Sequence, residues 1–182
     1  MKTSDQDALH LRSGLPDALR VLVAQYPRPT WEQHPNFGEL VQFWLERHVM
    51  FRQLTDVLRD DVDALLEKKV GFETYAPRLS RSGGMLLNQL HGHHQIEDAH
   101  YFPKLVKIDQ RLERGFELLE TDHEAMDALL QDFAAGANAV LQGGEAGVFR
   151  DRLLAFEKML DRHLVDEEEI IVPVILDSGF QG

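Results

Sequence analysis

Four long stretches of this chain repeat apolar residues at alternating intervals of four and three, and each repeat includes one histidine. This spacing places side chains on one face of an α-helix, so it predicts four amphipathic helices around a shared core. The first and fourth stretches run from about Pro35 to Lys68 and from about Glu145 to Ser178. The histidines are His48, His93, His123 and His163. No strand pattern appears, so the predicted fold class is all-α.

The breaks between these stretches predict how the helices are connected. If the four histidines form one layer of an up-down-up-down antiparallel four-helix bundle, each connection falls midway between successive histidines. The turn or cap residues Gly71, Asp109 and Gly143 stand at or beside those midpoints. The sequence therefore predicts this bundle for residues 35–182.

Two segments do not follow the pattern. Residues 1–34 are predicted to form an N-terminal arm packed on the bundle, with a short helix from about Pro16 to Gln25 and Trp31 as an anchor. Residues 26–35 are expected to be too rich in proline for a helix. Thr74 to Gly84 is expected to be a longer connection or a weak helix start, because proline and glycine interrupt it.

Composition narrows the function classes. A net charge of −12 argues against nucleic acids and anionic membranes as partners, and it indicates no particular protein partner. Without cysteine the chain has no disulfides, thiolate zinc sites or iron–sulfur clusters. No apolar run approaches the ~20 residues that span a bilayer, and the first residues do not resemble a signal peptide, so a cytoplasmic location is expected.

In each of the second, third and fourth stretches, the histidine of the apolar stripe is followed four residues later by a carboxylate. Residues four apart share one face of a helix, so each pair directs a nitrogen and an oxygen donor the same way. Two of the pairs are followed by a proline at the same offset, Pro103 and Pro173, which suggests that the second half of the bundle repeats the first. The pairs are His93–Glu97, His123–Asp127 and His163–Glu167.

Together these residues predict a metal centre. Burying unpaired carboxylates is costly, and two divalent cations with a bridging hydroxide would balance three of them. Seven donors are too many for one ion, and mixed imidazole and carboxylate donors suit iron, manganese or zinc. Iron is favoured because an iron pair with an open position can bind oxygen, although composition alone does not separate it from manganese. The candidate ligands are His48, His93, Glu97, His123, Asp127, His163 and Glu167.

Several assignments stay open on the sequence alone. Asp127 lies about 40° around the helix from His123, and Met126 competes for the same stripe, so Asp127 is either a ligand or a surface residue. His100 is expected to face inward below Glu97, either behind the ligands or in an open position if Asp127 does not bind.

The fourth helix offers a second choice, because Glu168 could replace Glu167 at a five-residue offset from His163. His91 falls on the opposite face of its helix and His94 at its flank, so neither is expected to be a ligand.

The runs LHGHHQIEDAHYFP, LLETDHEAMDALL and HLVDEEEIIVP resemble the hemerythrin-like HHE cation-binding domains over roughly residues 36–176. The resemblance implies a four-helix bundle with a non-haem di-iron centre that has an oxo or hydroxo bridge. It implies the four layer histidines as terminal ligands and Glu97 and Glu167 as bridges. Asp127 stands where hemerythrin has a second histidine on its third helix, which argues against reversible oxygen storage.

The predicted function is binding or sensing of a small oxidant or diatomic, namely oxygen, nitric oxide or peroxide. Three alternatives remain: an oxidoreductase that turns over peroxide or nitric oxide, a redox-inactive zinc or manganese bundle, and a plain helical interaction module. The sequence does not decide between catalysis and binding.

Overall fold

The computed structural model describes residues 7–182, and all regular structure in that range is helical, as the sequence predicts. The α-helices are α1 (Val21–Gln25), α2 (Glu39–Leu66), α3 (Phe72–Ile96), α4 (Phe102–Ile108), α5 (Glu113–Leu141) and α6 (Ala146–Ser178). A π-helical turn, Glu97–Tyr101, joins α3 to α4. Short 3₁₀ helices cover Asp17–Leu19, Arg28–Gln33 and Gln110–Leu112.

The four long helices pack in cyclic order. Helix α2 contacts α3 and α6, and α5 contacts the same two helices from the other side. The connections are residues 67–71, 109–112 and 142–145, which confirms the turn positions predicted from the histidine midpoints. Connections this short are typical of neighbouring helices that run antiparallel.

The apolar core is divided into two clusters, and the histidines lie between them. Each long helix buries residues at the predicted four-and-three spacing, so the stripes meet inside. One cluster includes Trp44, Phe102, Leu112, Phe116 and Ile170. The other includes Phe51, Leu86, Met126, Phe133 and Phe156. A polar layer is thereby enclosed by apolar side chains on both sides.

Helix α3 departs from its prediction. The sequence predicts a connection or weak helix start over Thr74 to Gly84, but the helix runs through this range from Phe72. Pro77 lies on the exposed side, where water can bond the carbonyl that the missing N–H of proline leaves free. Gly83 is buried where α3 approaches α5, and a Cβ at this position would lie 3.6 Å from the ring of Phe133.

The N-terminal segment covers α6. Every residue from 170 to 176 is buried, and a helix that is apolar on all faces needs partners on all sides. Helix α1 and the 3₁₀ helix Arg28–Gln33 supply the outer partner. The predicted short helix is therefore present in part, as Val21–Gln25, and Trp31 is buried as an anchor. The expectation that residues 26–35 are non-helical is wrong, because Pro29 sits at the start of a 3₁₀ turn, where no N–H is required.

None of the helices within residues 7–182 is long and apolar enough to cross a membrane.

Candidate metal centre

Seven buried side chains in the polar layer form two groups whose donor atoms lie close together. Within each group the candidate ligand atoms lie within 4.8 Å of one another, which is the scale of a metal coordination sphere. The first group is His94, His123 and His163. The second group is His48, His93, Glu97 and Glu167. Helices α3 and α6 contribute to both groups, while α2 and α5 each contribute to one.

The two carboxylates connect the groups. Glu97 Oε1 lies 2.8 Å from His93 Nε2, and its Oε2 lies 3.5 Å from His123 Nε2. Glu167 repeats the arrangement: Oε1 lies 3.4 Å from His48 Nε2 and Oε2 lies 3.5 Å from His163 Nε2. Each carboxylate thus directs one oxygen to each group, which is the disposition of a carboxylate that bridges two ions.

A further layer of carboxylates contacts the outer nitrogens of three histidines. Such contacts fix the orientation of a metal-binding imidazole and leave Nε2 as the metal-facing atom. The pairs are His48 Nδ1 with Glu168 Oε1 at 2.9 Å, His123 Nδ1 with Asp98 Oδ1 at 2.7 Å, and His163 Nδ1 with Asp122 Oδ2 at 3.3 Å.

The inner atoms of these residues have no hydrogen-bond partners among the described residues. The unpaired atoms are both nitrogens of His94, both oxygens of Glu97, Nε2 of His123 and His163, and Oε2 of Glu167. A buried polar atom without a partner costs roughly 1–3 kcal/mol, so this many in one place is unfavourable unless something else bonds them. Metal cations bind both imidazole nitrogen and carboxylate oxygen, and they fit this donor set.

The electrostatics of the metal-free centre favour the neutral form of two of its imidazoles. Burial lowers the pKa of His93 to about 3 and holds that of His94 well below its ordinary value. Burial also acts to lower the pKa of His48, but the charges of Glu167 and Glu168 outweigh it and raise the pKa to about 9. Neutral imidazole is the form that binds metal, so two of the donors need lose no proton.

The pKa values of Glu97 and Glu167 are shifted in opposite directions. Burial and the neighbouring charge of Glu167 raise the pKa of Glu97 well above its ordinary value. Burial acts to raise the pKa of Glu167 as well, but the charge of His48 outweighs it and holds that pKa well below. Without a cation a proton is therefore held more tightly by Glu97 than by Glu167.

The chain also matches a protein-family model. The model describes the hemerythrin HHE cation-binding domain, and the match covers residues 39–175. The chain belongs to this hemerythrin family. Comparison with curated proteins and with solved structures gave no significant match. A buried histidine and glutamate cluster in a domain of this family is a candidate metal site.

The structure brings together six of the seven residues that the sequence nominates for this hemerythrin-like centre, all except Asp127. Asp127 is half-exposed, and its carboxylate lies 3.3 Å from Nδ1 of His91 at the surface. Met126 takes the core position instead and is fully buried. The prediction that Asp127 is a ligand is corrected for this reason. Met126 and Asp127 are consecutive on α5, so when Met126 faces the core, Asp127 is turned away from the centre.

His94 occupies the place in the groups that Asp127 was expected to fill. Its ring stacks on that of His123, with centroids 4.0 Å apart. A signal for it exists in the sequence, because Leu90 is buried and the next inward positions are three and four residues later. These are His93 and His94, about 60° to one side and about 40° to the other. The expectation that His94 lies at the flank of its helix is wrong, because it takes the direction of His93 as the centre of the buried face. The centre of that face lies between His93 and His94.

The π turn explains a second difference. In uninterrupted α geometry His100 would face inward below Glu97, but the turn has more residues per revolution and rotates the residues after it. His100 is exposed, with Nε2 3.0 Å from Lys104 Nζ, and Phe102 is buried in the core. Of the two candidates on α6, Glu167 lies in the second group, whereas Glu168 lies behind His48.

A surface cavity of about 250 Å³ reaches the second group between α2 and α3. Its walls include Phe43 and Ile96, both more than half exposed, and it ends at His93 and Glu97. Trp44 also lines it and donates its indole N–H to Oε1 of Glu167. The centre is therefore buried but separated from solvent on this side by only a few side chains.

Proposed function

We propose that this chain is a non-haem di-iron protein, built on an up-down-up-down antiparallel four-helix bundle, that binds or senses a small oxidant or diatomic. Oxygen, nitric oxide and peroxide are the ligands in view. One observation carries the proposal: two buried carboxylates each direct one oxygen to each of two groups of histidines. That arrangement supports two ions close together with Glu97 and Glu167 between them.

The donor set supports iron. Five imidazoles and two carboxylates, with no thiolate, form the mixed nitrogen and oxygen environment that iron accepts, with manganese and zinc as the competing ions. With the carboxylates shared, the first group offers one ion three imidazoles and two oxygens. The second group offers the other ion two imidazoles and two oxygens, one donor fewer.

The ligand-binding position is proposed at the ion with fewer donors. The cavity between α2 and α3 reaches His93 of this group, and its volume is sufficient for a diatomic or for peroxide. Bound iron would supply a redox-active Lewis acid there. The protein contributes a buried site between two apolar clusters, and the Trp44 indole fixes Glu167 through its hydrogen bond.

The replacement of Asp127 by His94 in the group bears on reversibility. A third carboxylate would donate more negative charge and favour the oxidised metal. An imidazole in its place leaves two carboxylates for two ions, so the argument against reversible oxygen binding no longer applies. Reversible binding therefore belongs within the proposed function.

The test is reconstitution of the metal-free protein with ferrous iron under nitrogen, followed by metal analysis and absorption spectra before and after oxygen. We expect two irons per chain and near-ultraviolet charge-transfer bands that appear with oxygen and reverse when it is removed. His93→Ala removes a donor beside the cavity and should lose iron and bands. His91→Ala is the matched control, because its exposed ring is on the same helix and outside both groups.

The other outcomes discriminate the alternatives. Less than one metal per chain would contradict the proposal as a whole. Preferential retention of zinc, with no visible absorption from iron, would indicate a redox-inactive centre. Steady peroxide consumption that His163→Ala abolishes would indicate an oxidoreductase.

A further inference from the structure

Two arginines from the N-terminal segment, residues 7–34, reach the carboxylates that lie behind the metal centre. Arg12 is buried, and its guanidinium makes a two-pronged contact with Asp122, Nη1 to Oδ1 at 3.2 Å and Nη2 to Oδ2. Its Nε donates to Asp166 Oδ2 at 2.7 Å. Asp122 Oδ2 in turn lies 3.3 Å from Nδ1 of His163. A continuous polar path thus runs from Arg12 to a member of the first group.

Arg28 makes the equivalent contact with a carboxylate behind the second group. Its Nη1 donates to Glu168 Oε2 at 2.7 Å, and the other oxygen of Glu168 lies 2.9 Å from Nδ1 of His48. The guanidinium carbon lies 4.8 Å from the ring centroid of the buried Trp31, which holds the arginine in place. This path ends on a different candidate ion from the path through Arg12.

The third orienting carboxylate shows that such support is not automatic. Asp98 contacts Nδ1 of His123 at 2.7 Å, yet its side chain is 41% exposed and none of the described ion pairs joins it to an arginine or lysine. Buried Asp122 and Glu168 have no such access to water and depend on protein cations for their charge balance. Both arginines also precede residue 39, where the match to the family model begins.

We infer that the N-terminal segment is a working part of the metal centre and that Arg12 and Arg28 are positioning residues for it. Each arginine fixes an orienting carboxylate, which fixes the imidazole that faces an ion. Loss of the Arg12 contact frees Asp122 to rotate, whereas Glu168 without Arg28 keeps the bond that Arg52 Nη1 donates to its Oε1 at 2.8 Å and should be displaced less. Either loss removes a positive charge and so leaves more negative charge beside the ions. The affected ion should then leave faster, and bound iron should have a lower reduction potential, because negative charge favours the ferric state.

This inference rests on the proposed metal site but not on the identity of the metal. The experiment therefore uses the full chain loaded with zinc and, separately, with iron. Arg12→Met and Arg28→Met are compared with wild type for the rate of metal capture by an excess of chelator, and for the reduction potential of the iron form. Arg20→Met is the matched control, because Arg20 is an exposed arginine of the same segment.

We expect two release phases from wild type, with one phase faster in Arg12→Met and the other in Arg28→Met. Removal of an orienting partner costs about 10–100-fold in metal affinity, and a group one contact further out should act at the lower end, about tenfold. Arg12→Lys retains the charge without the two-pronged contact and should give an intermediate rate. It also provides the comparison if circular dichroism shows that Arg12→Met is unfolded.

The inference is overturned if the arginine variants bind two metals, release them at rates within twofold of those of Arg20→Met, and have a reduction potential within a few millivolts of its value. That result would leave the proposed function intact. Two zinc ions without iron binding would contradict the proposed function, while the zinc release rates would still decide the inference. Binding of no metal would overturn both.

Discussion

Substitution of His94 should have opposite effects on the stability of the metal-free and the metal-loaded protein. His94 is 2% exposed, and neither of its nitrogens has a hydrogen-bond partner among the described residues. A neutral imidazole carries one donor and one acceptor, and leaving such groups buried and unpaired costs about 1–3 kcal/mol. His94→Leu replaces it with an apolar side chain of similar size. We expect the metal-free protein to become more stable by about that amount.

The same substitution should weaken metal binding. It removes one of the three imidazoles of the first group, and each tenfold loss of affinity removes about 1.4 kcal/mol of the stabilisation that bound metal supplies. In excess chelator the variant should therefore melt at a higher temperature than wild type, by about 2–4 °C for each kcal/mol of added stability. With metal in modest excess it should melt at a lower temperature than wild type. This reversal of sign distinguishes a metal ligand from an ordinary core histidine, for which both differences have the same sign.

The measurement is thermal unfolding followed by circular dichroism in both conditions, together with metal analysis. Asp127→Ala is the control, because among residues 7–182 its half-exposed carboxylate pairs only with the half-exposed His91, and surface pairs of this kind contribute less than about 1 kcal/mol. It should change neither melting temperature nor metal content. Two retained metals in His94→Leu with lost metal in Asp127→Ala would refute the geometric assignment.

Three further predictions concern single contacts. The glutamine in Glu97→Gln resembles the protonated acid that the metal-free centre favours, so the variant should keep its metal-free stability. It should bind at most one metal. Two metals by elemental analysis would show that Glu97 is not a bridge. Tyr75→Phe should raise the free energy of unfolding in urea by about 1 kcal/mol, because the buried Tyr75 hydroxyl has no hydrogen-bond partner among the described residues. Burial raises the pKa of this hydroxyl to about 12. A free energy of unfolding below that of wild type would mean that the hydroxyl is bonded. Asp109 caps a 3₁₀ helix, and its hydrogen bonds with Arg111 lower the pKa of the Asp109 carboxyl. The carboxylate therefore stabilises the fold fully above the unfolded pKa of about 4, and this stabilisation is lost as the pH falls through the lower folded pKa. Asp109→Asn should cost about 1 kcal/mol at pH 7 and little near pH 2; an equal cost at both values would exclude an ionic role.

Periodicity alone predicted the layer of four histidines, because a polar residue in an apolar stripe must lie inside if its neighbours do. The three turn positions were predicted from the same layer. The i to i+4 spacing also predicted that Glu97 and Glu167 share the buried face with their histidines, and both carboxylates are buried beside them. These features depend only on local helix geometry, and the sequence encodes that geometry directly.

The features that the sequence did not reveal depend on more than one element. Asp127 and His94 each lie about 40° from a reference position, and only the packing of α3 against α5 decides which of them turns inward. His100 moved because the π turn changes the register after Glu97, and no residue type marks such a turn. Arg12 lies 110 residues from Asp122, so their contact has no local pattern at all.

Both groups of candidate metal donors include a residue of α6, His163 in one and Glu167 in the other. A ribosome makes these two residues after the other five donors. A growing chain therefore exposes up to five of the seven donors before either group is complete. Uptake of a pair of ions must therefore wait until α6 has been made and has packed against the other helices, because neither group is complete without it.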